Sequence, residues 1–326
     1  MTQFQTAPPS AGTSRSAHHR KESSMSVRTR VLAPSFTLLL VAGVTACSSS
    51  SGPSSTPSGG NPTTLPTVTV DATIAKTVPA GIRSAGSLDV ATSATLPPMT
   101  FVGDDNKTLV GFDIDMAKAI AATLGLQAKI TNAGFDTIIP GLQSKRFDIA
   151  LSSIGVTSER QKVVDFVSYY NGGQGFLTAS TSKLTVTAID DLCGQRVAVV
   201  TGSTQQSTLE DEAGSCAKAG KPAWKVSTFP GNNEAVLALG GKRVDVLYSS
   251  ISVVAYTAKK SPAFRVAGRY KRAVAGAALA KGSKLTRPVQ AAVQHLIDTG
   301  TYQTLLAKWG LSGNGIAAAK INGAVS

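Results

Sequence analysis

At 326 residues the chain is long for one compact domain and suits two lobes of roughly 100 residues each with flanking segments. Hydrophobic residues make up 42% and charged residues 16%, which is enough for real cores and excludes wholesale disorder. The net charge of +13 is scattered, with no basic helix or aromatic RNA-binding signature, which argues against nucleic acid as a partner. The three histidines, His18, His19 and His295, exclude a multi-histidine metal centre and leave a Ser-His-Asp triad almost nothing to be built from.

From Met25 the chain presents Arg28 and Arg30, then a 14-residue apolar stretch over 31–44, then small residues before Cys47. That is the order of a secretory signal: positive end, short greasy core, cleavage site. The stretch is too short to cross a bilayer comfortably as a permanent helix. Val44-Thr45-Ala46-Cys47 resembles the lipobox of bacterial lipoproteins, in which the cysteine becomes the lipidated first residue. The alternative is an ordinary signal peptide that happens to precede a cysteine. We read 1–46 as leader, with the signal proper at 25–46 and residues 1–24 as extra translated sequence or a misassigned start. From Cys47 onward the net charge is +9.

Nineteen of the 20 residues 48–67 are Ser, Thr, Pro, Gly or Asn. Such a composition cannot bury a core and reads as a tether, which we extend to residue 83. No later run of apolar residues is long enough for a membrane span, so the rest is expected outside the cell, held by lipid at the outer face of the cytoplasmic membrane. In that oxidising setting Cys193 and Cys216 form an even pair and are expected as a disulfide, two unlinked buried thiols being the alternative.

Beyond residue 84, short β-rich runs alternate with helical patterns. A strand over 88–92 precedes a helix over 112–124, whose Ile114, Ala117, Ala121 and Leu124 share a face and which stops at Gly125. A strand over 128–131 follows, then a helix over 135–144 with Phe135, Ile138, Ile139 and Leu142 inward, then a strand over 148–152. After Tyr169, Tyr170 and Gly172-Gly173 the pattern restarts: strands over 196–200, 224–229 and 244–248 alternate with helices over 204–219, 233–239 and 251–258. This order predicts an α/β fold, parallel strands covered by helices, in two successive lobes. Residues 145–153 and 242–250 share Lys-Arg-x-Asp-x-x-x-Ser-Ser, five identities in nine. Whether duplication or chance likeness, each unit carries a serine pair to the carboxyl end of a strand, where open α/β sheets bind ligands.

Three stretches together are similar to the family-3 extracellular solute-binding proteins, the polar-amino-acid receptors of ABC importers. They are PPMTF with GFDIDMAKAIAATLG within 97–125, FDTIIPGLQSKRFDIALSS with TSERQKVVDF within 135–166, and GTYQTLLAKWG at 300–310. The resemblance implies a two-lobe periplasmic-binding-protein-like (type II) α/β fold with two hinge strands and a ligand cleft between the lobes. Lobe 1 would be 84–177 plus 275–315, lobe 2 178–274, and 316–326 a C-terminal tail. A clamp of this kind can desolvate a small polar ligand and still release it. Hinge candidates are 176–178 and 268–276.

The site residues follow from both readings. Thr157 or Ser158 caps a helix start that puts Arg160 in the first turn, where a guanidinium fork can grip a carboxylate by two parallel hydrogen bonds. The resemblance assigns Arg160 to the ligand α-carboxylate, Phe135 to an aromatic wall, and Ser203 and Thr204 to donors reaching across from lobe 2. It places Ser152 and Ser153 at a strand end that meets the ligand amino group or side chain. Three positions depart from the pattern and are kept as ligand-facing: Ser250 stands where an Asp usually pairs with the ligand ammonium, Ser93 matches a usual acid, and Gly155 replaces a usual Thr. Leu96 matches a usual aromatic. A buried ammonium without a counter-charge is costly. Either another group such as Tyr248 or Tyr170 meets it, or the ligand is a carboxylate with no α-amino group.

The resemblance thus implies a lipid-anchored receptor of a polar amino acid or related small carboxylate, partnered by a membrane permease, with no cofactor or metal. The alternatives are an exported enzyme like the cyclohexadienyl dehydratases of the same fold, or a solute sensor.

Overall fold

The computed structural model describes residues 67–323; the leader, Cys47 and most of the tether lie outside them. In chain order, α1 (Ala72–Lys76) and α2 (Ala80–Ala85) precede β1 (Ser87–Thr92), a small antiparallel sheet of β2 (Thr95–Leu96), β3 (Thr100–Val102) and β4 (Leu109–Val110), and α3 (Phe112–Thr123). Then come β5 (Gln127–Asn132), α4 (Ile138–Gln143), β6 (Ile149–Ala150), α5 (Ser158–Val163) and the long β7 (Val164–Ala179). The second lobe has β8 (Arg196–Val200), α6 (Thr204–Asp211), α7 (Ser215–Lys218), β9 (Lys225–Phe229), α8 (Asn232–Gly240), β10 (Val246–Ser250) and α9 (Ile251–Lys260). The chain returns on β11 (Phe264–Ala280) and finishes with α10 (Thr286–Asp298) and α11 (Thr301–Lys308) in lobe 1.

The main sheet runs β5-β1-β6-β11-β7-β10-β8-β9. β1 is parallel to β5 and β6, and β8 is parallel to β9 and β10, so each lobe has its own parallel core. β7 and β11 pair antiparallel from Val164↔Ala280 to Ala179↔Phe264 and carry the chain between the lobes. Each half buries aliphatic strands under helices. In lobe 1, Leu88, Val90, Ile149 and Leu279 pack with Ile120, Val293 and Leu305. In lobe 2, Val197, Val199 and Val246 meet Leu209 and Trp224 on one face, while Ala198 and Leu247 meet Ala235 and Leu239 on the other.

The repeated nonapeptides occupy equivalent places. Lys145 and Lys242 both adopt a left-handed backbone, φ 58° and 55°, just past a helix end. Asp148 and Asp245 each exchange backbone and carboxylate hydrogen bonds with a neighbouring parallel strand, at Asp89 and Arg196 respectively. Both units therefore deliver their serine pairs to the facing carboxyl edges of the two half-sheets. Cys193 and Cys216 are joined as a disulfide over 23 residues, tying the approach to β8 to α7.

Several expectations are corrected. Residues 68–85 are not tether: α1 and α2 lie on lobe 1, with Asp71 N–H donating to the Thr123 carbonyl and Val78 only 2% exposed, because Val68, Ile74, Val78 and Ile82 supply an apolar face. Residues 316–323 are not a loose tail: Lys320 and Asn322 hydrogen-bond along the start of β7, and Ala319 is buried. The helix expected over 204–219 breaks into α6 and α7 across an exposed turn at Gly214. Residues 176–178 are not at the crossing, since Phe176 and Leu177 already pair with Tyr248 and Leu247 of lobe 2. The crossing lies at Asn171–Gly173 opposite Arg272–Val274, beside a register shift between Tyr270 and Arg272.

Candidate functional site

A cavity of about 70 Å³ lies between the lobes, at the carboxyl edges of the two half-sheets. Lobe 1 contributes Arg160, Phe135, Ser153 and Gly155, and lobe 2 contributes Ser203, Thr204 and Ser250. These seven residues, scattered over more than 100 positions of sequence, are brought to one place. Ser93 and Ser152 are not. Both are buried behind the wall, where Ser93 N–H donates to Ser152 Oγ at 3.0 Å. Beyond the end of β6 the chain leaves the extended form, Ser153 taking a left-handed φ of 47°, so Ser152 stays turned toward β1 while Ser153 reaches the cleft.

Arg160 is positioned by the cap expected for it: Thr157 Oγ1 accepts from Arg160 N–H and starts α5. Its Nη1 donates to the Gly155 carbonyl at 2.8 Å in lobe 1, and its Nη2 to the Gly202 carbonyl at 2.9 Å in lobe 2. The guanidinium thus bridges the cleft, with its Cζ 5.8 Å from the Phe135 ring centroid. Burial lowers its pKa to about 10, so it stays charged at neutral pH. Among the described residues no carboxylate lies within ion-pair distance of it. A desolvated cation bonded only to carbonyls is a ready partner for an anion.

The lobes also touch elsewhere. Asn232 N–H donates to Thr95 Oγ1 at 3.3 Å, and a Cβ added at Gly155 would stand 3.2 Å from Thr204 Cγ2. Gly202, at φ +73°, takes a turn that places its carbonyl toward Arg160 and its N–H on Gln206. Ser203 Oγ caps α6 by accepting from Gln206 N–H.

Asp113, fully buried in α3, supports the lobe 1 wall from behind. It accepts from Tyr169 Oη at 2.6 Å and Ser153 Oγ at 3.3 Å, and burial raises its pKa to about 6.

Further lining residues escaped the sequence reading: Thr95, Gln174, Gln205, Asn232 and Ser252. Asn232, itself buried, carries the clearest sequence sign of them, because Gly231-Asn232 opens α8 after a strand and so sits at the same edge as Ser203. Tyr170, Tyr248 and Leu96 also line the cavity. Tyr248 is stacked on Phe176, with centroids 4.5 Å apart, and donates to Gln174 Oε1.

The family model for bacterial extracellular solute-binding proteins, family 3, matches residues 88–312. The chain is 29% identical to ABC transporter arginine-binding protein 1 of Escherichia coli K12 over 236 residues, 70% of this chain and 93% of the relative. It is 30% identical to the arginine-binding protein ArgT of Corynebacterium glutamicum over 248 residues, 75% and 81%. Among solved structures, an ancestral arginine-binding protein bound to arginine is similar, with TM-score 0.64, 33% identity, and coverage of 69% of this chain and 98% of that one. So is the ancestral amino-acid-binding protein AncCDT-1, a precursor of cyclohexadienyl dehydratase, with TM-score 0.63, 33% identity, and coverage of 70% and 97%.

Proposed function

The chain belongs to the bacterial extracellular solute-binding proteins of family 3, and from that premise we propose that it is the lipid-anchored receptor of an ABC importer, capturing a polar amino acid or related small carboxylate. The observation that carries the reading is Arg160: a half-buried guanidinium, without a carboxylate partner among the described residues, reaching both lobes at one cavity. A ligand carboxylate docked on its free N–H groups, with Ser203 and Thr204 donating from the start of α6, would favour the closed arrangement over the open one. Differential affinity of that kind is all a capture switch needs. The closed form is then what a membrane permease receives.

The E. coli and Corynebacterium relatives named above are binding proteins for arginine, which supports a binding role. The exported dehydratase is the second reading, favoured only by the likeness to AncCDT-1. Dehydration needs an acid poised to protonate the leaving group, and among the described residues the cavity wall holds no Asp or Glu. Prephenate turnover by the purified chain would establish the second reading and displace the first.

Titration calorimetry of the full chain with amino acids and small organic acids, repeated on Arg160→Ala, tests the receptor. Binding lost in the variant supports it; equal binding by both removes Arg160 from the site. Anchoring at Cys47 is tested by fractionation: Cys47→Ser should move the protein from the membrane fraction to the medium.

A further inference from the structure

We propose that the ligand of this cavity is a carboxylate without an ammonium, whose second polar group is a hydroxyl or carbonyl oxygen received by Tyr170, Ser250 and Ser252. This rests on the receptor reading above and narrows it to a class of acid different from what the arginine-binding relatives take.

The first ground is the charge on the walls. Among the described residues lining the cavity, Arg160 is the sole ionisable group of either sign apart from tyrosines. Two acids stand just outside: Asp113 is shut behind Ser153 and has its oxygens engaged by Tyr169, Ser153 and Thr100, and Asp136, exposed, lines an adjoining pocket on the other side of Phe135 and Arg160 rather than this one. A ligand ammonium enclosed here would lose water and meet no counter-charge, a cost of several kcal/mol by general estimates.

The second ground is the field. Three lobe 2 helices of eight or more residues, α6, α8 and α9, start at this cavity, through Ser203-Thr204, Asn232 and Ser250-Ser252. Their N-terminal ends carry partial positive charge and N–H donors without helical partners, of which Gln206 N–H is taken by Ser203 Oγ and Asn232 N–H by Thr95 Oγ1. At α9 the cap residue Ser250 makes no side-chain bond to the first turn; its hydroxyl lies 3.2 Å from Ser252 Oγ instead. An acid at position 250 would offset this end of α9 and receive a ligand cation. A serine does neither.

The third ground is a donor with nothing to donate to. Tyr170 is 3% exposed and lines the cavity, yet its Oη has no hydrogen-bond partner. Ser252 Oγ lies near it but outside hydrogen-bond geometry. Its ring is held against Phe112 and over Gly172, so it cannot swing out to water. A buried phenol left unpaired is unfavourable, and burial keeps it protonated. What it lacks is an acceptor. A hydroxy- or oxo-acid supplies one; an ammonium supplies another donor.

The test is calorimetry of the full chain with matched series of 2-amino, 2-hydroxy and 2-oxo monocarboxylates on the same carbon skeletons, plus L-arginine. The expected result is at least tenfold tighter binding of a hydroxy- or oxo-acid than of its amino counterpart, with Tyr170→Phe erasing most of that margin. Ser250→Asp, at a partly exposed helix cap where an acid suits the positive end of α9, should shift the preference toward the amino acid by tenfold or more. Amino acids binding as tightly as their hydroxy and oxo counterparts would overturn the proposal, and so would a panel in which no acid binds. If amino acids win and Arg160→Ala abolishes their binding, the receptor reading survives and only this inference falls. If a ligand binds Arg160→Ala as well as wild type, Arg160 is not in the site, and the carboxylate assignment on which the receptor reading rests falls with this inference.

Discussion

The two lobes divide the work unequally. Among the described residues lining the site, lobe 1 holds the only cation, on a side chain fixed at both ends between a helix cap and two carbonyls, with a buried acid bracing the wall nearby. The described lobe 2 lining brings no Asp, Glu, Lys or Arg; it brings hydroxyls, side-chain amides and the starts of three helices. Lobe 1 is also the one clasped by both flanking segments, α1–α2 and residues 316–323, whereas lobe 2 is stapled by a disulfide. On the receptor reading proposed above, the contrast would place recognition of the anionic end in the larger lobe, with closure supplying donors from the smaller one.

The comparison can be broken most severely at Arg160. Arg160→Ala should weaken carboxylate binding at least a hundredfold in calorimetry, since charge-assisted bonds of about 1.5–3 kcal/mol each are lost; a tenfold loss or less would mean that lobe 2 holds the anion. Next in size is the staple. Replacing Cys193 and Cys216 by Ser should cost lobe 2 about 3 kcal/mol by the loop-closure argument, seen as an earlier separate transition in urea, with lobe 1 unaffected. A single unshifted transition would show that the lobes do not differ in this way.

Lobe 1 has its own signature in pH. Burial raises Asp113 from 3.8 to about 6, so the folded state keeps this proton when the unfolded chain has released it. Its contribution is fully present below pH 3.8 and is lost as pH rises through about 6, an effect on the order of 2–3 kcal/mol. The difference in urea stability between wild type and Asp113→Asn should therefore vary between pH 4 and 7 and be flat above. Asp165, Asp191 and Asp245, whose values are lowered, act oppositely and at lower pH, and cancel in that difference.

Smaller effects sharpen the division. A Cβ at Gly231 would fall 2.6 Å from Thr95 Cγ2 across the cleft, so Gly231→Ala should prop the lobes apart. We expect binding about tenfold weaker, equivalent to an overpacking cost of about 1–2 kcal/mol, at unchanged thermal stability. Smallest is Asp71→Ala, which removes the cap that accepts from Thr73 and Ile74 N–H. It should destabilise lobe 1 by about 1 kcal/mol and leave affinity alone.

Legibility in the sequence follows the same physics. The strand at Arg196–Val200 is read without error because four consecutive apolar residues are followed by turn residues. Arg160 is read because its cap, Thr157, precedes it at the spacing a helix start requires. β7 and β11 are expected only as the two hinge strands that the resemblance implies, with 268–276 covering one side of the crossing, because Asn171-Gly172-Gly173 and Arg269-Tyr270-Lys271-Arg272 by themselves look like loops; their pairing with each other makes them strands. Ser93 and Ser152 mislead because hydroxyl chemistry at a strand end is visible in sequence, while the face it points to depends on one residue of register. Thr95, Gln174 and Ser252 carry no local sign at all: they become part of the wall through tertiary folding.

At the crossing, Asn171–Gly173 lie directly beside Arg272–Val274, so the polypeptide leaves lobe 1 and comes back within a single strand spacing. Everything in between is an insert hung on a hairpin stem. Such a piece could be excised at that stem and closed with a tight turn, or exchanged for the equivalent piece of a relative, with Val253 of α9 as the core residue it lends to the host half. The fold is in this sense a fixed handle with an interchangeable jaw, and new specificities can be assembled by grafting one jaw rather than by redesigning both.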